Sequence, residues 1–504
     1  MSGLIEQRSS SRRYPLHGAL MAAALLGAGA TGCTEGEGDR TGEIASVMAR
    51  ADMPLLRTRP ELVAGKYALM ASDPYSFYRG SVPIYLHDYR LDRDGAWTTP
   101  FMVEEPLVLT LGDAHVENFG TLLSADGTFA LEPNDFDAAD EGVYLWDVRR
   151  LVIGAALAAR LSNEDDSDAR DAAAAAARDI AASAAKAYVD ALGSLADGGP
   201  RERLSEPGDG PVLKDLFERS ASGLEERSEL ADLTVMAKGT RIFKRGAIDP
   251  TNPTSLLYDL PGACKTALPE VLGRYRETLS DPPPPSFFEI QDMVRELGSG
   301  VASFPRVRVL VLLRGDSDSP DDDVLLEVKE IADAIGPSHA PSDVRFDSLQ
   351  DRIQRTTRAA WATATTAPLW STSSMLGFPV QVRLVSGGQR TVRVGRLFGK
   401  RGTPEAISDL AAHLGALLAR VHASPLPEGA GSKAADLWSV IGRDPEGFVA
   451  EQADAGAAGA ERVLEDYGHF RDALDDLGPT LGVVPAPGDA PSPELAQLYS
   501  GISP

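Results

Sequence analysis

Residues 109–151, LTLGDAHVENFGTLLSADGTFALEPNDFDAADEGVYLWDVRRL, decide how this chain folds and where its chemistry lies. Nowhere else do carboxylates, amides and turn glycines crowd so closely between short apolar runs. Residues 107–111 form a β-type run ending at Gly112, so Asp113, His115 and Asn118 fall in the loop that follows. Residues 128–131 predict a second strand, which delivers Asn134, Asp135 and Asp137 to another polar loop. Two strand ends of this kind can bring acidic groups and an amide to one point, a donor set that suits an oxygen-loving divalent cation.

The spacing says more than the composition. Asp113 followed five residues later by Asn118, then Asp-Phe-Asp at 135–137, reproduces the order of a kinase catalytic loop: an Asp base, an Asn metal ligand and a metal-binding Asp. The stretch resembles the catalytic segment of the aminoglycoside phosphotransferase branch of kinase-like proteins, in which Gly-Asp-x-His-x-x-Asn precedes Asp-aromatic-acid and a further Asp, here Asp147. The blocks SDPYSFYRG (72–80), GDAHVENFG, NDFD and WDVRRL also resemble a bacterial family known only as a domain of unknown function, over most of the chain after about residue 55. The resemblance implies an α+β, two-lobed, protein-kinase-like fold. In it Asp113 and His115 are the catalytic candidates, and Asn118, Asp135 and Asp137 the candidate ligands of Mg2+ or Mn2+.

Each residue also has a plainer reading. Asp113 and Asn118 can be Asx-turn residues that bond their own backbone, and His115 can simply orient the loop. Asp147 suits a buried brace for the loop backbone, with Arg149 and Arg150 as partners for the acids. Asp135 and Asp137 are harder to explain structurally, because two acids flanking one Phe repel unless a cation or donor joins them.

After the Pro282–Pro285 run the composition turns to strands: residues 289–297, a Gly298-Ser299-Gly300 turn, then 306–313 and 324–329. A hairpin is expected between 378–386 and 390–398 across Gly387-Gly388, with a helix over 348–365 inserted before it. This small antiparallel sheet with an inserted helix resembles a kinase N-lobe. In that comparison Gly298 and Gly300 cover the phosphates of ATP or another nucleotide, and Lys329 contacts them. The sheet follows the catalytic loop, so the chain would be circularly permuted, with residues 404–422 matching the helix that ordinarily precedes that loop. Arg355 stands where the helix should offer a Glu to the lysine, leaving Glu327 or Glu330 as substitutes. Helices are further expected at 151–161, 168–195, 213–223 and 224–237, with irregular chain and a basic cluster around 238–246.

The remaining features concern location and partners. Arg8, Arg12 and Arg13, an apolar run over 19–30 and the Ala30-Thr31-Gly32-Cys33 box resemble a bacterial lipoprotein signal that would lipidate Cys33. The expected organisation is a signal at 1–33, a tether at 34–50, a helical lobe at 51–288, a sheet lobe at 289–400, a return to the helical lobe at 401–484 and a flexible tail at 485–504. The chain would then be anchored to the bacterial envelope through lipid alone. Its 49 Lys and Arg against 74 Asp and Glu, a net charge of −25, argue against nucleic acid as a partner. Three functions fit: a kinase-like phosphotransferase acting on a small-molecule or protein acceptor, an inactive kinase-like ligand-binding module, and a metal-dependent phosphoesterase. Only seven His residues weigh against the last.

Overall fold

A computed structural model describes residues 40–500, except 94, 104–105, 207, 209, 250–251, 332–345 and 427–430. The lipoprotein signal with Cys33, and residues 34–39 of the expected tether, lie outside the described residues, whereas residues 40–50 of it are not a tether but a helix that buries Ile44 and Met48. The fold is α+β. Five helices open it: α1 (Arg40–Ala51), α2 (Met53–Thr58), α3 (Pro60–Met70), α4 (Pro74–Gly80) and α5 (Val82–Arg90). Strands β1 (Val108–Thr110), β2 (Phe119–Leu123), β3 (Phe129–Pro133) and β4 (Asp140–Gly142) carry the polar loops. Next come α6 (Tyr144–Arg160), α7 (Ser167–Ala175), α8 (Ala177–Ala196), α9 (Pro211–Glu225) and α10 (Ser228–Leu233). Strands β5 (Thr234–Ala237), β6 (Thr240–Phe243), β7 (Gly246–Asp249) and β8 (Asn252–Asp259) lead to α11 (Gly262–Glu277). They are followed by β9 (Ile290–Leu297), β10 (Arg308–Leu313), β11 (Val324–Glu330), α12 (Leu349–Ala360), β12 (Ser371–Met375) and β13 (Phe378–Val385). The chain closes with α13 (Pro404–His422), α14 (Ala434–Ile441), α15 (Pro445–Leu477) and α16 (Pro493–Tyr499).

The helical body is built on α6, α8, α13 and α15. The alanine-rich run of α8 supplies Ala181, Ala184 and Ala185, all fully buried, so its neighbours approach closely. Their core joins that of β1 to β3 in one cluster that includes Leu109, Phe119, Tyr144 and Leu414. No helix among the described residues is long and apolar enough to cross a membrane.

The large sheet is antiparallel and seven-stranded, in the order β12-β13-β11-β10-β9-β8-β7. Period-two alternation gives its central strands two distinct faces. Val309, Val311, Leu326, Val328, Val380 and Val382 pack with Leu268, Val271 and Tyr275 of α11. On the other face the same strands carry Lys329, with Arg308 and Gln381 directly opposite it in register.

Several expectations change. The sheet is wider than residues 289–400, because β7 and β8 join its edge. The hairpin partner of β13 is β12, across Leu376 and Gly377, both at positive φ as a tight two-residue turn requires. Residues after Gly388 instead cross to β2, where Thr121 N bonds Arg390 O at 2.8 Å. Residues 234–243, expected as a helix end and irregular chain, form the β5–β6 hairpin across Lys238 and Gly239. The C-terminal segment expected to be a flexible tail contains α16, whose Leu498 is buried against the sheet and whose Tyr499 ring receives the Arg59 guanidinium at 4.2 Å.

Candidate functional site

The two polar loops are bound to each other backbone to backbone. Gly112 has φ 73°, and a Cβ there would stand 2.1 Å from the carbonyl oxygen of Ala138, so only glycine lets the loops meet. Asn134 N donates to Asn118 O at 3.1 Å, tying the second loop to the first. Beneath them Asp147, fully buried on α6, accepts from Leu111 N and from Gly112 N at 2.9 Å. It is a brace for the loop, as its position after NDFD implied.

Asp113 is fixed from below by Arg150 of α6, whose Nε donates to Oδ1 at 2.9 Å. Arg150 is itself buried, with its guanidinium 3.6 Å from the centre of the Tyr78 ring. Burial pushes the Asp113 carboxyl up to about 6; Arg150 opposes the rise, and the nearby Asp135 charge adds to it. His115 accepts from Glu117 N through Nδ1 at 3.1 Å, which leaves the ring proton on Nε2, 3.6 Å from Asp113 Oδ2. Burial, with Arg79, Arg150 and Arg393 nearby, holds its pKa well below the usual range, so it is a neutral ring that shapes the loop.

Asn118 Nδ2 donates to Asp113 O at 2.8 Å. A carbonyl can only accept, so the amide orientation is settled and Asn118 Oδ1 is the atom left for a cation. Asp135 Oδ1 accepts from Asp137 N at 3.1 Å, closing an Asx turn, while Oδ2 is engaged by no hydrogen bond among the described residues. Asn118 Oδ1 and Asp135 are hard oxygen donors that line one cleft, and they fit Mg2+ or Mn2+ with phosphate oxygens completing the shell. Among the described residues no three His, Cys, Asp or Glu side chains could hold a metal by themselves.

Asp137 is differently employed. Lys329 Nζ reaches its Oδ2 at 2.7 Å from the sheet, and Gln381 Nε2 reaches Oδ1 at 3.3 Å. Burial alone would raise the Asp137 carboxyl, but the Lys329 ammonium outweighs it and holds the pKa below the usual carboxylate range. The lysine's partner is therefore the DFD loop. Glu330 bonds Arg59 at 2.7 Å, and Glu327 bonds Arg308 at 3.0 Å and Arg383 at 3.2 Å. Arg355 sits beside Asp351 at 3.5 Å. The buried charged residue of α12 is Arg352, which donates to Ala139 O and, at 3.1 Å, to Asp137 O, so the helix grips the loop backbone directly.

Asp113, Asn118, Asp135, Asp137, Lys329 and Arg352 line a single cleft of about 860 Å³, together with Ser299, Gly300 and Ser303 of the turn between β9 and β10. Gly298 and Gly300 both have φ 78°; Gly300 lines the cleft, and Gly298 shapes the turn. Val301 of the same turn is buried among α1 to α3, and Phe304 against Leu62, which seats the turn firmly. Eight Lys and Arg side chains against six carboxylates line the cleft, in a chain whose net charge is −25. The basic cluster at 238–246 stands apart: Arg241 pairs with Asp323 at 3.0 Å, and Arg245 with Asp292 at 2.7 Å.

Sequence reading missed Arg352, Gln381, and the grouping of Arg79 with Glu117 and Arg393, in which Glu117 Oε2 lies 3.0 Å from Arg79 and 2.9 Å from Arg393. Arg79, the one basic residue of SDPYSFYRG, is the member of that group that the sequence marks as aimed toward the site. No curated protein and no solved structure matches the chain. Residues 57–473 match the family described as "Uncharacterized protein conserved in bacteria (DUF2252)", and the chain belongs to that family.

Proposed function

We propose that this protein is a kinase-like phosphotransferase that moves the terminal phosphate of a nucleotide to a hydroxyl-bearing acceptor with the help of Mg2+ or Mn2+. The observation that carries the reading is the Lys329–Asp137 contact of 2.7 Å across a cleft that also holds Asp113, Asn118, Asp135 and the glycine turn. Further support comes from chain order: the turn joins β9 to β10, the lysine lies on β11, and α12 follows before β12 and β13 complete the sheet. That order is the one expected of a small nucleotide-binding lobe carried after the catalytic loop, a circular permutation of the kinase-like arrangement.

Each group then has a role. Asp113, held by Arg150, accepts the proton of the acceptor hydroxyl; the oxygen bonds to the terminal phosphorus as the bond to the bridging oxygen breaks, and the leaving diphosphate keeps that electron pair. Asn118 and Asp135 hold the divalent cation, which when bound neutralises phosphate charge. Lys329 exchanges Asp137 for, or shares it with, the donor phosphates, and the turn closes over them.

One observation favours an inactive ligand-binding module instead: α12 presents Arg352, not an acid, toward the lysine region, so no helix carboxylate draws Lys329 off Asp137. The phosphoesterase reading has less behind it, since its several imidazole and carboxylate ligands are not gathered among the described residues. Calorimetric titration of Mg·ATP into the full chain tests the proposal. Binding that requires Mg2+ and is lost in both Asp135→Asn and Lys329→Met is expected; binding indifferent to metal and to both substitutions would overturn it.

A further inference from the structure

Beside Asp113 the cleft holds a cationic group for which binding of the phosphate donor has no use. Glu117 lies between Asp113 and Asn118 in the same loop and is buried. Its Oε2 takes Arg79 Nη1 at 3.0 Å and Arg393 Nη1 at 2.9 Å, while Oε1 accepts from Val394 N at 2.8 Å. One carboxylate is thus divided between two guanidiniums, and the trio keeps a net positive charge. Both arginines line the cleft, and Arg79 Nε is buried with no hydrogen-bond partner. A guanidinium offers five N–H donors, so a shared carboxylate leaves most of this fork unused.

The neighbouring acids do not balance that charge. Asp113 is taken by Arg150, Asp137 by Lys329, and His115 points its only ring proton toward Asp113. The donor-phosphate side of the cleft is supplied separately, from the sheet, by Lys329 and the turn that includes Gly300. The arginine pair comes instead from α4 and from the strap after β13, and both guanidiniums reach the loop that carries Asp113 at the one oxygen Glu117 Oε2. Two guanidiniums converging on one point match a tetrahedral dianion better than a singly charged, planar carboxylate.

We propose that Arg79 and Arg393, bridged by Glu117, form the anion-binding half of the acceptor site, and that the acceptor carries a phosphate group beside the hydroxyl that approaches Asp113. The assignment rests on the phosphotransferase reading and supplies its substrate class. An uncharged acceptor would leave the net positive charge of Arg79, Glu117 and Arg393 unbalanced, whereas a phosphorylated one neutralises it. Glu117 holds the two forks in place when the acceptor is absent.

The test uses the full chain with Mg2+ and saturating pyrophosphate, which fills the donor side, and titrates inorganic phosphate by calorimetry. A second, phosphate-binding event is expected, weakened about tenfold in Arg79→Gln and in Arg393→Gln, with pyrophosphate affinity unchanged within about twofold. Arg393 is half-exposed, so its variant keeps the fold even if Arg79→Gln disturbs it. Lys329→Met should do the reverse, weakening pyrophosphate and sparing phosphate. The assignment fails if pyrophosphate abolishes phosphate binding, if both arginine variants bind phosphate as the wild type does, or if acetate binds as tightly as phosphate. Phosphate held by the arginine pair in a protein that binds no pyrophosphate would uphold the anion site and sink the phosphotransferase reading instead.

Discussion

Replacing Lys329 with Met removes a buried ammonium, 5% exposed, from Asp137, whose side chain is 20% exposed, while roughly keeping the lysine's volume. Breaking a fully buried pair by deleting one partner costs about 3–5 kcal/mol, because the remaining charge is stranded. Asp137 keeps some solvent and the Gln381 amide, so the cost here should be about 2–3 kcal/mol. For a chain of this size the unfolding entropy is about 1 kcal/mol/K, which puts the fall in Tm at about 2–3 °C. The pH dependence identifies the cause. In the wild type the depressed Asp137 pKa contributes stability that is fully present above the unfolded-state value, about 3.9, and is lost as pH falls through the lower folded value. Without Lys329, burial raises the Asp137 pKa, so its ionised form costs stability at neutral pH and protonation relieves that cost on the acid side. Differential scanning fluorimetry at pH 8 and pH 5 should therefore give a larger Tm gap at pH 8. The double variant Lys329→Met/Asp137→Asn should recover at least half of it. A gap independent of pH, with no recovery in the double variant, would show that the pair does not hold the sheet to the loop.

Asp135→Asn keeps shape while removing a charge: Mg2+ at 100 times its Kd should stabilise the wild type by about 2.7 kcal/mol, and the variant should lose most of the corresponding Tm shift. Equal shifts in both proteins would remove Asp135 as a ligand. The Asp113 carboxyl, raised to about 6, must be ionised to accept a proton, so kcat/KM should fall about tenfold per pH unit below that value and level off above it. Arg150→Met removes the group that opposes the rise, so the same limb should move to higher pH; an unmoved limb would assign it to another residue. Cys33→Ser should release the protein from membranes, as fractionation would show, and unchanged attachment with an intact N-terminus would refute lipidation at that residue.

The parts of the site legible in the sequence are those that one loop determines. Asp113 and Asn118 face each other because five residues of a single turn place the amide under the Asp113 carbonyl, and Asp147 follows four residues into the next helix. Lys329 could be placed on a strand but not paired, since its partner depends on which strands flank β11 and on how α12 grips the loop 215 residues away. Arg79 and Arg393 reach Glu117 from opposite parts of the chain, the latter 276 residues off, and no local pattern marks them as a pair. The hairpin error has a clear cause. Gly387-Gly388 looks like a two-residue turn, yet Gly387 N is taken by Glu229 and the following strap pairs with β2, so the turn that closes β13 is Leu376-Gly377. The β5–β6 hairpin was signalled by Lys238-Gly239, but apolar residues of 224–237 at helical spacing masked it.

Transfer itself is the most direct test of the phosphotransferase reading. The full chain, incubated with Mg2+, ATP labelled at the γ-phosphate and a fractionated bacterial extract of phosphorylated small molecules, should move label to a compound other than water. That transfer should disappear in Asp113→Asn. Wild-type protein that binds Mg·ATP yet moves no more label than Asp113→Asn in any fraction would contradict the account and leave a ligand-binding module in its place.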